Sequence, residues 1–286
     1  MSLHVESAVL RRGLPLLAVV LGVCALHGCS LFPAGDAQSV EMHRRSLPPI
    51  QASLDAIQLE VLFVERPAND PQIGSALWRE VDQIAAIPAE TRDLLQQNGF
   101  QVGHVGSSPP LVVQSLLGLV SDVTSSDNAQ SKPMVGMRKM LPPGVETELQ
   151  SSEPLERCHV AIVEGGKSRT HDYEQVRCVF RMKSARLHDG WVRLDFQPEI
   201  HYGDLRVRHT PTDDGWAYSS RQKVDARHGQ SFSLTMNVGE IALITAAPNH
   251  PESMGEWFFC RDDDGSKRQR VLIVRVADAG TPARKP

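Results

Sequence analysis

Several short runs with the pattern of β-strands follow one another in the C-terminal half, and they constrain the fold more than any other feature of the chain. The runs cover residues 158–163, 173–185, 191–200, 231–238, 241–246 and 271–276. Turn-forming residues such as Asp189-Gly190, Asp213-Asp214-Gly215 and Asp264-Gly265 separate some of them. Short strands joined by tight turns are typical of antiparallel sheets. The pattern predicts a predominantly antiparallel β domain over residues 155–278.

The preceding segment mixes both kinds of periodicity. A strand is predicted over 57–65, helices near 76–84 and 88–97, a second strand over 100–105, and a helical stretch after Pro110. Asn98-Gly99 is expected to end the second helix. The sequence therefore predicts an α+β fold: a small α/β module at 55–121, a polar loop or linker at 122–154, the β domain at 155–278 and a tail at 279–286.

The amino terminus has the pattern of an export signal. Arg11 and Arg12 precede an uncharged apolar run over 13–25, as in the first two regions of a signal peptide. The run is shorter than the roughly 20 residues that a membrane-spanning helix needs. An uncleaved anchor helix is therefore the weaker alternative.

This run ends in Leu26-His27-Gly28-Cys29, which resembles the lipobox of bacterial lipoprotein precursors, although His27 departs from the usual residue type. The resemblance implies that residues 1–28 are removed and that Cys29 is acylated, so the membrane is a partner through the N-terminal lipid. Ser30 resembles lipoproteins sorted to the outer membrane, facing the periplasm. Residues 29–54 would form a flexible tether. The alternative is an ordinary cleaved signal in which Cys29 is incidental.

Three further cysteines would enter the oxidising cell envelope. Cys158 and Cys178 lie in two predicted strands on either side of Gly165-Gly166, which allows a disulfide across a hairpin. Two buried free thiols are the alternative. The fate of Cys260 stays open.

Three passages, taken in order, resemble the core of the secretin family, the multimeric outer-membrane channel proteins of secretion and pilus systems. The passages are 59–65 with Gly74 and Trp78, then 192–200 with its Pro198-Glu199, and then 232–276 with Gly239, Gly255 and Phe258. The chain lacks a long series of ring-building modules before this core. The resemblance implies a structural or assembly component, with a homo-oligomer or envelope secretion components as partners.

Candidate chemical motifs are better explained as turns and surface polarity. Residues 161–168 fit a relaxed P-loop, but a strand rather than a helix is predicted to follow Gly165-Gly166. Asp262-Asp263-Asp264-Gly265 lacks the spacing of an EF-hand loop. His171 with Asp172, and Glu199 with His201, could form acid/base pairs, but no nucleophile lies in a recognisable elbow.

These observations predict a lipid-anchored, non-enzymatic envelope protein with no cofactor and no metal site. Nucleic acid is not an expected partner, because the net charge is -4 and no stretch forms a sustained basic face. A periplasm-facing hydrolase or ligand-binding lipoprotein remains the alternative.

The lipid anchor is tested by one substitution. We expect Cys29→Ser to abolish incorporation of radiolabelled palmitate into the chain, because the acyl groups have no other predicted attachment site. Cys260→Ser is the matched control and should label like the wild type. Label that persists in Cys29→Ser would contradict the anchor.

Overall fold

A computed structural model of the chain describes residues 55–119, 135–212 and 215–280. The predicted signal peptide, the predicted tether with Cys29, and residues 281–286 of the predicted tail lie outside these ranges. Residues 120–134 and the Asp213-Asp214 part of a predicted turn lie outside them as well.

Strands dominate the described residues, which confirms the predicted α+β class with a predominantly antiparallel β part. The strands are β1 (Ile57–Pro67), β2 (Phe100–Val105), β3 (Val135–Leu141), β4 (Glu146–Gln150), β5 (Leu155–Glu164), β6 (Lys167–Arg186), β7 (Val192–Thr212), β8 (Gly215–Ala226), β9 (Phe232–Met236), β10 (Ile241–Ala246), β11 (Cys260–Asp263) and β12 (Ser266–Asp278). The helices are α1 (Ser75–Glu80), α2 (Ala89–Gln97), α3 (Leu111–Leu116) and α4 (Met254–Phe259). No helix within the described ranges is long and apolar enough to cross a membrane.

Sheet 1 joins the two ends of the described chain. Its strands follow the order β2-β10-β12-β1-β3, and β11 pairs with β12. Thus β1 and β2, from the predicted module at 55–121, share one sheet with β10 and β12, from the predicted β domain at 155–278. The boundary predicted between these segments does not separate two sheets. Local sequence patterns do not predict this arrangement, because β1 pairs with a strand far along the chain.

The predicted loop or linker at 122–154 also needs correction. Within it, β3 pairs with β1 and β4 pairs with β6. Met137 and Met140 of β3 are both exposed, because β3 is the outermost strand of sheet 1. An edge strand that buries few side chains shows little alternation of apolar and polar residues in its sequence. Strand β3 was therefore not predictable from that signal.

Both faces of sheet 1 are covered. On one face, Val64, Leu243 and Ile273 pack with Leu77 of α1 and Val113 of α3. On the other face, Leu59, Val274 and their neighbours belong to the core shared with sheet 2. Every residue of β10 is buried as a result. Sheet 1 is therefore the central layer of the fold.

Sheet 2 is built on two long antiparallel strands. It has the order β4-β6-β7-β8, with β5 also pairing with β6 and β9 with β7. Strands β6 and β7 span 20 and 21 residues, and only part of each pairs with the other. The remaining part of β6 forms a hairpin with β5, and the remaining part of β7 forms a hairpin with β8. The second half of β7 and all of β8 were not predicted as strands, because much of the sequence from 201 to 226 is polar and exposed.

Phenylalanine side chains join the two sheets. Phe100 of β2 lies edge-on to Phe180 of β6, with ring centroids 5.8 Å apart, and to Phe258 of α4 at 5.3 Å. Phe180 and Phe258 are 5.1 Å apart. All three side chains are buried. Edge-to-face aromatic contacts add to the free energy of burial, so this cluster is the centre of the core.

The Asn98-Gly99 turn makes a second connection between the sheets. As predicted, α2 ends just before it, and Gly99 has a left-handed φ of +76°. The fully buried Asn98 side chain donates from Nδ2 to the Val163 carbonyl (3.0 Å) and accepts from the Val163 amide at Oδ1 (2.9 Å). These two bonds fix β5 of sheet 2 beside α2.

The aromatic cluster predicts a large loss of stability on truncation. We expect Phe180→Ala to lower the free energy of unfolding by about 3–5 kcal/mol, because it leaves a cavity among packed rings. Met140→Ala is the control, since its half-exposed side chain should cost less than about 1 kcal/mol. Urea denaturation of both variants measures the difference. Equal losses would contradict the proposed centre of the core.

Candidate functional site

The best-connected polar side chains lie on the face of sheet 2 that is turned away from sheet 1. Along β7, Phe196 and Ile200 point into the shared core, so Gln197, Glu199 and His201 take the opposite face. Glu199 accepts two bonds from Arg181, from Nε at 2.6 Å and from Nη2 at 3.0 Å. Gln197 Nε2 donates to the same carboxylate at 3.1 Å, and His201 Nε2 lies 2.9 Å from it.

This network holds Glu199 as a carboxylate. Burial would raise the pKa of Glu199, but hydrogen bonds from Arg181 and His201 outweigh burial and lower the pKa below its usual value. Its side chain is 1% exposed, and that of His201 is 6% exposed. The structure thus brings Glu199 and His201 together, but buried rather than at the strand surface. A low-pKa carboxylate with both oxygens already bonded is a poor general base.

The other candidate pair, His171 with Asp172, is not formed. Asp172 of β6 contacts His159 of β5 instead of His171, and the side chains of Asp172 and His159 are both exposed. His171 lies beside Tyr173, with ring centroids 6.1 Å apart. Surface polarity of the strands, as predicted, accounts for His171 and Asp172.

The two candidate ligand loops are hairpin turns, as the sequence predicts. Gly165 and Gly166, both with positive φ, join β5 to β6, and a strand follows them rather than a helix. Asp264-Gly265 joins β11 to β12, with Asp263 paired to Ser266. Within the described ranges, no group of three or more His, Cys, Asp or Glu side chains could hold a metal ion.

Cys158, Cys178 and Cys260 are free thiols. The predicted cross-hairpin disulfide fails on register: the turn pairs Glu164 with Lys167, which places Cys158 opposite Tyr173 rather than Cys178. Cys178 pairs instead with Ile200 of β7. Burial raises the pKa of Cys158 and of Cys178 to about 12. Both thiols are therefore protonated at neutral pH and poorly reactive.

A second charged cluster lies at the junction of β1, β11 and β12. The Glu65 carboxylate accepts bonds from three arginines: Arg268 Nε at 2.8 Å, Arg261 Nη2 at 2.9 Å and Arg270 Nη2 at 3.2 Å. Arg261 also donates to the exposed Glu153 at 2.6 Å. These groups line a cleft of about 310 Å³ with Phe258 and Phe259 among its apolar walls. The cluster was not predictable from the sequence, because Glu65 and Arg268 are 203 residues apart.

A third cluster fixes the base of the β7–β8 hairpin. The buried Tyr173 hydroxyl donates to Asp225 at 2.5 Å and accepts from Arg227 Nη2 at 2.9 Å. Arg227 also contacts Asp225, and it reaches Glu164 at 3.3 Å. Burial, and then the bond to Asp225, raise the pKa of Tyr173. The Tyr173 hydroxyl therefore stays protonated and ties β8 to β6.

Beyond this base the hairpin continues as a two-stranded ribbon, which we define as residues 206–212 of β7 and 215–221 of β8. A register shift between Tyr202 and Arg206 marks where it begins. Within the described residues, these parts of β7 and β8 pair only with each other. Trp216, Tyr218 and Val207 are exposed to 74%, 75% and 68%. Large apolar side chains thus lie together on a ribbon that no other strand supports.

A groove opens where the ribbon leaves the body of the protein. We define it by its lining residues, which enclose about 570 Å³ and are Pro154, Leu155, Glu156, Gln175, Val176, Arg177, Leu205, Ser220 and Gln222. The Gln222 side chain donates to the carbonyls of Gln175 (2.6 Å) and Gly203 (2.9 Å) and accepts from Arg177 Nε (2.8 Å). One wall of the groove is therefore held in place by internal hydrogen bonds.

The ion pair between the buried Glu199 and the half-buried Arg181 predicts a pH-dependent stability. Because the pKa of Glu199 is lower in the folded chain than its ordinary value, the pair stabilises the fold above that ordinary value, and this contribution is lost as the pH falls through the lower, folded-state pKa. We expect Glu199→Gln to cost about 3–5 kcal/mol near neutral pH and to show a weaker fall in stability from about pH 6 to about pH 3 than the wild type.

Glu174→Gln is the matched control for this measurement. Glu174 is 70% exposed and pairs with the equally exposed Arg157, so its loss should cost less than about 1 kcal/mol. Urea denaturation at several pH values gives both quantities. A Glu199→Gln variant with the pH dependence of the wild type would contradict the assignment.

No family model, no curated protein and no solved structure matches the chain. Its function is therefore inferred from the geometry, burial and charge of the residues described above, together with the sequence of its amino terminus.

Proposed function

We propose that the chain is a lipid-anchored, non-enzymatic protein of the cell envelope that serves as a structural or assembly component of secretin-type secretion or pilus machinery. The lipid on Cys29 would hold it at the outer membrane, facing the periplasm. The tether at 29–54 would let the folded part reach its partners.

The observation that carries this proposal is the ribbon with its exposed apolar side chains. Monomeric proteins rarely leave large apolar side chains clustered in water, and such clusters mark interaction surfaces. Trp and Tyr are also the residues most enriched at the energetic centres of interfaces. Trp216 and Tyr218 are both about three-quarters exposed, so the ribbon has the composition of a docking surface.

The polar groups support a non-enzymatic role. The network around Glu199 is buried and bonded internally. Neither Glu199 nor His201 lines the groove or the cleft beside Glu65. The buried thiols of Cys158 and Cys178 have raised pKa values. A hydrolase would need such groups at a surface that a substrate can reach.

A ligand-binding lipoprotein is the second candidate, and the cleft beside Glu65 is the observation that favours it. Its volume of about 310 Å³ is at the lower end for small-molecule sites. However, Glu65 and Glu153 already occupy donor groups of the surrounding arginines. Arg261 Nε is the donor in this cleft that has no hydrogen-bond partner among the described residues. Because the other arginine donors named above are already engaged, assembly through the exposed ribbon is the better-supported function.

The assembly function is tested in cells that produce the full chain with a carboxyl-terminal tag. After chemical cross-linking, the envelope fraction is dissolved in detergent and the tagged chain is purified. We expect partners, which are further copies or other envelope proteins, to be retained. A chain recovered only as an uncross-linked monomer would overturn the proposal.

The ribbon should govern this retention. Replacing both aromatic residues, Trp216→Ser with Tyr218→Ser, should reduce the recovered partners at least ten-fold, because it removes the exposed apolar area. Arg221→Ser changes the opposite face of the same ribbon and is the control. Thermal unfolding of both variants checks that the fold is intact. Unchanged recovery with the aromatic variant would remove the ribbon from the proposal.

A further inference from the structure

The apolar face of the ribbon and the groove lie on one continuous surface. Residues 216, 218, 220 and 222 alternate along β8 and therefore share a face. Ser220 and Gln222 line the groove, while Trp216 and Tyr218 are the exposed aromatic residues. Val207 pairs with Ser220, which places it on the same face. Each copy of the chain therefore carries a projecting indole and, a few residues away, an open groove.

The spacing of these two features suits a two-fold axis. Trp216 and Ser220 are each two residues from Tyr218, or roughly 7 Å along the strand. An axis through Tyr218 would therefore bring Trp216 of each copy over Ser220 of the other, at the mouth of the groove. Such an isologous contact uses the same surface twice and closes on itself.

We propose that the partner of the ribbon is a second copy of this chain, packed face to face and antiparallel, with Trp216 of each copy seated in the groove of the other. This inference rests on the proposed assembly function and names one partner of it. The two Tyr218 rings would then meet at the axis, where offset or edge-to-face contacts between aromatic rings are favourable.

The exposed apolar area is sufficient for a small specific interface between two copies. Trp216 and Tyr218 are about three-quarters exposed, so together they offer roughly 300 Å². Val207 and Leu205 are about two-thirds exposed and each adds on the order of 100 Å². Both copies together would then bury about 1,000 Å², which reaches the lower limit for a specific interface before the groove walls are counted.

The charges of the ribbon permit this contact. Arg206 pairs with Arg221, one residue along from Val207 and Ser220, so both arginines belong to the opposite face. Both are exposed. Face-to-face packing therefore leaves these cations in water. It brings together Leu205, Val207, Trp216 and Tyr218, which carry no charge. His209 is paired opposite Tyr218, and Glu156 and Arg177, which are of opposite charge, are both part of the groove lining.

A bilayer is the competing occupant of the aromatic face. Interfacial Trp and Tyr side chains do favour lipid headgroups. A bilayer, however, leaves the groove unexplained, whereas a second copy supplies a side chain of suitable size for it. The groove wall at Gln222 is already held by hydrogen bonds to Gln175, Gly203 and Arg177, so little ordering would be needed on binding.

The contact is tested by cross-linking the full chain from a residue at position 216. Trp216 is replaced by the photoreactive p-benzoylphenylalanine, and light and ¹⁵N-labelled chains are purified in detergent and mixed. After irradiation, we expect light-to-heavy cross-links from position 216 to peptides that contain Leu155, Val176, Leu205 or Ser220. The same probe at Arg221, on the opposite face, should give at least five-fold fewer of them.

Sedimentation equilibrium gives an independent measure. Leu205→Arg places a charge in the groove and should raise the dimer dissociation constant at least ten-fold, as should Trp216→Ser. Arg221→Ser should leave it unchanged. A wild-type chain that stays monomeric at about 100 μM, or position-216 cross-links found only to lipid, to other proteins or within one chain, would overturn the dimer. Retention of other envelope proteins in the same preparations would leave the assembly function standing.

Discussion

The contact among Phe100, Phe180 and Phe258 is the constraint on which the rest of the structure depends. These rings come from sheet 1, sheet 2 and α4, so their packing fixes the spacing of the two layers. The adjacent Phe196 assigns one face of β7 to the same core. Glu199 must then lie on the opposite face of β7, because side chains alternate along a strand. The same outward face continues into the ribbon.

The side chains on that outward face differ between the body of sheet 2 and the ribbon. Within sheet 2, Glu199 and His201 are paired internally and buried. Beyond the register shift, the exposed Trp216 and Tyr218 replace them. Glu199 and His201 are thus bonded within the protein, whereas the ribbon exposes apolar area.

Elements with a clear local sequence pattern were predictable, whether that pattern is an apolar run or a turn signal. The predicted strands at 100–105 and 241–246 match β2 and β10, and the Asn98-Gly99 turn was placed correctly. Pairings between distant segments were not predictable, because alternation shows that a strand exists but not which strand lies beside it. The ribbon was not predicted for a different reason: its residues are exposed, so its sequence shows no alternation of buried and exposed positions. Trp216 and Tyr218 can be recognised as part of an exposed apolar surface only once β7 and β8 are known to pair.

The position of β1 between β12 and β3 determines when sheet 1 can be completed during synthesis of the chain. Glu60 of β1 bonds to Arg275 of β12, 215 residues later. Sheet 1 therefore cannot close until almost the whole described region has been synthesised, and such non-local pairing folds slowly. Strand β1 can pair with β3 early, but its pairing with β12 becomes possible only after every strand of the ribbon-bearing sheet 2 has been made, because all of those strands precede β10 and β12 in the sequence.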